Sequence, residues 1–202
     1  MAKLGNIKKL AIRNEWKKET DFSQWLAEEE NLNALATELG LEDNGLELED
    51  IEFQVGPYRA DIVARETSSE RYVIIENQYG KTDHNHLGQL LTYSSSLNAG
   101  TIVWIAENFT EEHKKTLDWL NDNTTDELSF FGIKAELWRI DNSLPAIRFN
   151  VICSPNTIVK QIKATAKNLT ETKQRQLEFW KLVRNTLIDK KILTKRTNFL
   201  IC

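Results

Sequence analysis

The order of three consecutive segments constrains the fold more than any other feature of the sequence. A strand-like run at Arg71–Gln78 is followed by a helical pattern from Thr82 to about Asn98, and then by Thr101–Ala106. This last run is almost continuously apolar, which is typical of strands that are covered on both faces. A strand, a helix and a buried strand in this order predict a parallel crossover. The chain is therefore expected to be an α/β protein.

The segments before this crossover predict an antiparallel meander. Three runs rich in strand-forming residues lie at Glu47–Val55, Tyr58–Glu66 and Arg71–Gln78. The turn residues Gly56-Pro57 separate the first two runs, and the polar stretch Thr67–Glu70 separates the second from the third. The predicted fold is thus a sandwich with a mixed central sheet flanked by helices.

The remaining elements follow from hydrophobic periodicity and capping residues. Asp21 and Gln24 have the spacing of a capping box, so a helix is predicted to begin at Asp21, with one break allowed before Gly40 ends it. The other predicted elements are a strand or arm at Ile7–Arg13, a helix from Thr110 to about Asn123, strands at Leu128–Ile140 and Ala146–Ile152, and a C-terminal helix at Glu171–Lys191.

Composition favours an ordinary globular protein without a membrane span. Of the 202 residues, 41% are hydrophobic and 28% are charged. The longest apolar stretches are too short to cross a bilayer and the N-terminus lacks a signal-peptide core, so a cytoplasmic protein is expected. Cys153 and Cys202 fit no metal-ligand spacing and are expected to be buried or incidental thiols.

The charge is divided unevenly along the chain. From Lys160 onward there are 11 basic and 3 acidic residues, a net charge of +8, which leaves −12 for the first 159 residues. A basic segment can neutralise phosphates, although a solvated helical face explains it equally well. We expect one domain over 1–158 and a basic helical extension over 159–202.

Two acidic residues on neighbouring strands are predicted to face each other. If Thr67–Glu70 is the loop, Glu66 pairs with Arg71, and counting back places Asp61 opposite Glu76. Two like charges at opposed positions destabilise a sheet unless a cation lies between them. Mg²⁺ is held by one or two carboxylates together with water and substrate phosphate, which suits phosphodiester hydrolysis.

The alternative interpretation of this pair is purely structural. In it, Asp61 forms an ion pair with Arg59 or a distant lysine, and Glu76 lies on a solvated face.

The residues around the pair carry a resemblance to a known family. The run Gly56-Pro-Tyr-Arg-Ala-Asp61, followed after fourteen residues by Glu76-Asn-Gln78, resembles the motif of the PD-(D/E)XK nuclease superfamily. The resemblance implies a restriction-endonuclease-like fold, with Asp61 and Glu76 as the two acidic positions. Gln78 stands where lysine is usual, and it can orient a water but cannot act as a base. Lys81 is a candidate for the missing cation.

The predicted helix after these strands extends the resemblance. His86, Gln89 and Tyr93 recur at helical spacing and form a polar stripe. Superfamily members often use a glutamine on this helix to support the site, which makes Gln89 a candidate catalytic residue. Lys81, His86 and Tyr93 are candidate substrate-binding residues. His84 and His86 are interpreted either as phosphate contacts or proton carriers, or as local hydrogen-bond partners.

The first helix usually adds a carboxylate in this superfamily. Glu30 is the candidate metal ligand because Glu30-Asn-Leu32 matches a group of uncharacterised prokaryotic nuclease-like proteins. Glu19, Glu28 and Glu29 remain alternatives. The resemblance covers roughly Ile7 to Ser154. Further on, Gln176-Leu-Glu-Phe-Trp180 resembles the opening helix of a second domain in the same group, which implies that 159–202 is either the start of a truncated second domain or a reduced natural form.

The sequence therefore leads to three functional hypotheses. The first is a Mg²⁺-dependent nuclease, with Mn²⁺ as a substitute and DNA as the expected substrate. The second is an inactive nuclease-like domain that binds nucleic acid or a protein partner. The third is a purely structural role in which Gln78 and Gln89 bond each other. The apolar stripe with Trp180, Leu187 and Ile188 suggests packing on the body or a homodimer.

Overall fold

The computed structural model describes residues 4–41, 45–125, 127–155 and 179. The C-terminal helix, the basic extension and Cys202 lie outside the described residues, apart from Phe179 in a helix. The domain boundary after residue 158 and the homodimer therefore stay predictions.

The described residues build a mixed seven-stranded sheet. The strands are β1 (Ile7–Leu10), β2 (Leu46–Val55), β3 (Tyr58–Glu66), β4 (Tyr72–Lys81), β5 (Thr101–Asn108), β6 (Ser129–Ile140) and β7 (Ala146–Cys153). Their order in the sheet is β1-β6-β5-β4-β3-β2, and β7 pairs with β6. The β4–β5 and β5–β6 pairs are parallel and the others are antiparallel, which confirms the crossover, the meander and the α/β fold class.

Helices cover both faces of the sheet. One apolar cluster joins the first two helices to alternate residues of the strands, and a second cluster joins the last two helices to the other face. Asp83 and Thr110 cap helices as predicted, and Gly40 ends one in the left-handed conformation at φ 73°. The helices are α1 (Glu19–Leu26), α2 (Glu29–Leu39), α3 (His84–Leu97) and α4 (Glu111–Asn123), and a 3₁₀ turn spans Ile12–Asn14.

The first helix begins two residues earlier than predicted. The N–H of Lys18 donates to Oδ2 of Asp21 at 3.0 Å, so Asp21 is the third residue of the helix and not its cap. Short-range spacing could not separate these two positions because an acidic residue is favourable in either. The shift places Glu19 in the first turn of α1.

Strand β4 extends to Lys81, three residues beyond its predicted end. The pairing with β5 shifts register between Gln78 and Lys81. The N–H of Tyr79 donates to Glu19 Oε1 at 2.7 Å, and the N–H of Gly80 donates to Glu107 Oε2 at 2.9 Å. These carboxylates from α1 and β5 supply acceptors at the irregularity in the ladder.

Candidate active site

Asp61 and Glu76 lie at the end of the β3–β4 ladder. The observed pairs, from Arg65 with Tyr72 to Ile62 with Ile75, have the predicted register, and the next position places Asp61 opposite Glu76. At this position the side-chain carboxylates accept hydrogen bonds from backbone N–H groups of the opposite strand. The N–H of Asp61 donates to Glu76 Oε1 at 3.1 Å. The N–H of Asn77 donates to Asp61 Oδ2 at 2.7 Å.

The environment of the pair disfavours two negative charges. Glu76 is only 3% exposed and Asp61 is half-buried. Burial is the largest cause that raises the pKa of each carboxyl group, and for Glu76 the neighbouring Asp61 raises the pKa further. Among the described residues, neither carboxylate forms an ion pair with lysine or arginine. The alternative interpretation, with a cationic partner and a solvated glutamate, is therefore wrong for these residues.

Two further carboxylates act on the pair. Glu52 lies on β2 between the residues that pair with Ala60 and Ile62, so it flanks Asp61. Both Glu52 and Glu19 raise the pKa values of Asp61 and Glu76 through their negative charge. The backbone of Glu52 is left-handed at φ 52°, an uncommon conformation for a residue with a side chain. The site is thus a concentration of negative potential inside the sheet.

The donor set of the pair fits a hard divalent cation. The hydrogen bonds described above use one oxygen of each carboxylate, which leaves Oδ1 of Asp61 and Oε2 of Glu76 for a cation. Two carboxylates completed by water and phosphate are a sufficient protein ligand set for Mg²⁺. Within residues 4–41, 45–125 and 127–155, no group of three or more His, Cys, Asp and Glu side chains is arranged to hold a metal. Glu19 and Glu52 therefore act on the site as charges.

Gln78 has structural partners for both ends of its amide. Its Nε2 donates to the carbonyl of Lys81 at 2.9 Å and to Oδ2 of Asp83 at 2.7 Å. Its Oε1 accepts the indole N–H of Trp104 at 3.2 Å. The side chain is 5% exposed and ties the end of β4 to the cap of α3. Its described partners do not include Gln89, contrary to the hypothesis that these two amides bond each other.

Helix α3 places two of the candidate substrate-binding residues near the acidic pair. The hydroxyl of Tyr93 donates to the carbonyl of Arg59 at 2.7 Å, and burial, followed by Glu76 and Asp61, raises the pKa of Tyr93 to about 12. His86 is close enough to lower the pKa of Asp61. Its Nδ1 lies 2.9 Å from Oδ1 of the N-cap Asp83, so the local hydrogen-bond role is confirmed for this ring.

The other candidates have other neighbours among the described residues. Gln89 is half-buried and lines a groove along α3 together with His84. Lys81 is exposed, and its charge acts on His113 and Glu112. Glu30 is exposed in the first turn of α2.

The sequence-based prediction of the site does not include Glu52 or His113, and it includes Glu19 only as an alternative to Glu30. Counting back from the Gly56-Pro57 turn places Glu52 beside Asp61, by the same register argument that pairs Asp61 with Glu76. His113 has no signal in the sequence beyond its position in an amphipathic helix.

The described fold is an α/β sandwich, as the resemblance implies. The mixed sheet with helices on both faces, and an acidic pair where the meander meets the parallel crossover, agree with the resemblance to the PD-(D/E)XK superfamily.

Three solved structures show a weak likeness to this chain. A repair endonuclease from Pyrococcus abyssi aligns at 20% identity with a TM-score of 0.36, and the alignment covers 43% of this chain and 40% of the endonuclease chain. The EndoMS–dsDNA2 complex aligns at 17% identity with a TM-score of 0.37, and the alignment covers 54% of this chain and 45% of the EndoMS chain. Pyrococcus furiosus SfsA in complex with Ca²⁺ aligns at 14% identity with a TM-score of 0.34, and the alignment covers 65% of this chain and 60% of the SfsA chain.

This chain thus spans about two fifths to three fifths of the length of those proteins. At such TM-scores the likenesses add nothing to the assignment of the fold, which rests on strand order and register. No protein-family model and no curated protein matches the sequence. Within the part of the chain that the structure describes, no helix is long and apolar enough to cross a membrane.

Proposed function

We propose that this chain is a metal-dependent nuclease that hydrolyses phosphodiester bonds, with DNA as substrate and Mg²⁺ or Mn²⁺ as the ion. The observation that carries the proposal is the Asp61–Glu76 pair, in which a half-buried and a buried carboxylate face each other without an ion pair to any described lysine or arginine. Keeping two like charges together at this depth is unfavourable for the apoprotein. A bound divalent cation removes that cost, and the substrate phosphate completes its coordination.

The residues of the site would have different roles in metal binding and substrate binding. Asp61 and Glu76 would hold the ion, which supplies Lewis-acid polarisation of the phosphoryl oxygen. Glu19 and Glu52 deepen the negative potential that attracts it. His86, held by Asp83 through Nδ1, keeps Nε2 for a substrate phosphate or a water. Gln78 fixes the start of α3 and so positions His86 and Tyr93.

Cleavage of supercoiled plasmid and single-stranded DNA with Mg²⁺ or Mn²⁺ tests the proposal. We expect metal-dependent nicking by the wild type and its loss in Asp61→Asn and Glu76→Gln, which preserve side-chain shape. Glu47→Gln is a matched control because this residue is an exposed glutamate on β2. Absence of cleavage under every metal would overturn the proposal, as would variants that cleave like the wild type.

The position of Gln78 favours a second candidate function, a nuclease-like domain that binds nucleic acid without cutting it. Both ends of its amide have partners. The charge of Lys81 acts on His113 and Glu112, and no described lysine forms an ion pair with Asp61 or Glu76. The described residues therefore include no lysine that is placed to deprotonate the attacking water. Calorimetric titration with Mn²⁺ separates the candidates. Binding that disappears in Asp61→Asn supports the nuclease, whereas DNA binding without any Mn²⁺ binding supports the second function.

A further inference from the structure

A buried histidine supports an exposed one at the start of α3. His113 on α4 is 4% exposed, and its Nε2 lies 3.1 Å from Nδ1 of His84, the first residue of α3. The rings meet edge to face with centroids 4.9 Å apart. On its other side, Nδ1 of His113 lies 2.8 Å from Oγ1 of Thr82, which also accepts the N–H of Thr110 at 3.1 Å. The buried ring is therefore held at both nitrogens.

This chain of contacts leaves Nε2 of His84 available to a ligand. A threonine hydroxyl can donate or accept, so Thr82 satisfies His113 in either tautomer. His84 can then adopt either tautomer without leaving a nitrogen of the buried ring unpaired.

Burial and nearby charge keep the buried ring neutral. Burial is the main cause that lowers the pKa of His113, and His84 and Lys81 lower it further, against the opposite effects of Asp83 and Glu112. A neutral His113 can either donate a hydrogen bond to Nδ1 of His84 or accept one from it.

The groove in front of His84 differs from the rest of the protein in charge. The first 159 residues carry a net charge of −12, yet none of the described residues that line this groove is a carboxylate. The same helix presents Tyr93 and His86 to the acidic pair, so the groove and the pair share α3 as a wall. The lining residues are Tyr58, His84, Asn85, Gly88, Gln89 and Thr92, of which all but the glycine have hydrogen-bonding side chains.

We infer that this groove is a subsite for a backbone phosphate of DNA beside the phosphate that is cleaved, with His84 Nε2 as its donor and His113 as a positioning residue. The inference rests on the proposed function, which supplies the class of substrate. Asn85 and Gln89 add neutral donors to the same phosphate. A phosphate oxygen suits an imidazole N–H among neutral donors, because it is a strong hydrogen-bond acceptor and meets no described carboxylate in this groove.

Binding of an uncleaved duplex tests the subsite without any catalysis. The affinity of a labelled DNA duplex for the full chain would be measured in EDTA by fluorescence anisotropy at one constant pH and salt concentration. His84→Ala should weaken binding about 5- to 10-fold, because one hydrogen bond to phosphate is lost.

Two variants distinguish the mechanism from a general loss of charge. His84→Gln keeps a side-chain donor, so it should bind like the wild type. Lys115→Ala removes an exposed positive charge from α4 outside the groove, so adding His84→Ala to it should cause the same loss of affinity as in the wild type. His113→Gln should alter the tautomer of His84 in imidazole NMR spectra, a change that a packing role alone would not produce.

The outcomes also separate this inference from the proposed function. If His84→Ala binds the duplex with wild-type affinity, the subsite is overturned, even if the wild type cleaves plasmid. If inorganic phosphate shifts the His84 resonances and the duplex does not, the groove takes free phosphate and the inference is equally overturned. If binding depends on His84 but no metal ion supports cleavage, the subsite is supported and only the proposed nuclease activity is overturned.

Discussion

Neutralising Glu76 should make the apoprotein more stable while removing its metal site. In Glu76→Gln the Oε1 acceptor for the N–H of Asp61 is retained, and one of two facing carboxylates loses its charge. Opposed side chains have Cβ atoms about 5 Å apart. Two charges at that distance repel by about 3 kcal/mol at an effective dielectric constant of about 20. Since partial protonation already relieves the wild type, we expect a gain of about 1–3 kcal/mol in the free energy of unfolding at about pH 8.

The pH dependence of this gain follows from the raised pKa values. The folded protein keeps protons on Asp61 and Glu76 at pH values where the unfolded chain has released them. Wild-type stability therefore falls as the pH rises above the unfolded pKa of about 4, and it continues to fall up to the raised folded values. The advantage of Glu76→Gln should be near zero at about pH 4 and should grow toward pH 8.

Urea unfolding in EDTA, followed by tryptophan fluorescence across this pH range, measures the effect. Glu47→Gln, the same change at an exposed position on β2, should stay within about 0.5 kcal/mol of the wild type throughout. The reasoning is refuted if Glu76→Gln is no more stable than the wild type at pH 8, or if its advantage does not depend on pH.

Three further predictions concern the same site. Saturating Mn²⁺ should stabilise the wild type, by about 2.7 kcal/mol at 100 times the dissociation constant, and a thermal-shift experiment should show no such effect in Asp61→Asn. Gln78→Lys should lower the free energy of unfolding by about 1–3 kcal/mol, because the buried N–H of Trp104 loses its acceptor; increased plasmid nicking by this variant would contradict the structural role of Gln78. Glu19→Gln retains an acceptor for Tyr79 but removes a charge that raises the pKa of Asp61, so Mn²⁺ binding followed by calorimetry should develop at lower pH than in the wild type.

Much of the frame of the site could be predicted from local sequence. The four-residue stretch Thr67–Glu70 set the register that brings Asp61 opposite Glu76, because a hairpin loop of given length fixes which residues face each other. The apolar run at Thr101–Ala106 predicted a strand covered on both faces, and all six of its residues are buried. Such features depend on neighbours along the chain, which is why a single sequence reveals them.

The roles of several side chains at the site were decided by contacts between distant segments. Gln78 occupies the motif position of a water-orienting residue. Its amide instead forms hydrogen bonds with Trp104, which lies 26 residues away, and with Asp83, the N-cap of α3. Glu19 reaches the site because Tyr79, 60 residues later, offers it a backbone N–H. Periodicity assigns a residue to a face of its own element but does not say which element will cover that face.

The sequence by itself determined the order of elements, the acidic pair and the helix that closes over it. The tertiary structure decided that no described cation neutralises the pair, that Glu19 acts on it from the first helix, and that His113 stands behind His84. The physical reason is that register, caps and amphipathic stripes are local properties of the chain. The burial of a charge and the partner of a polar atom depend on which segments pack together.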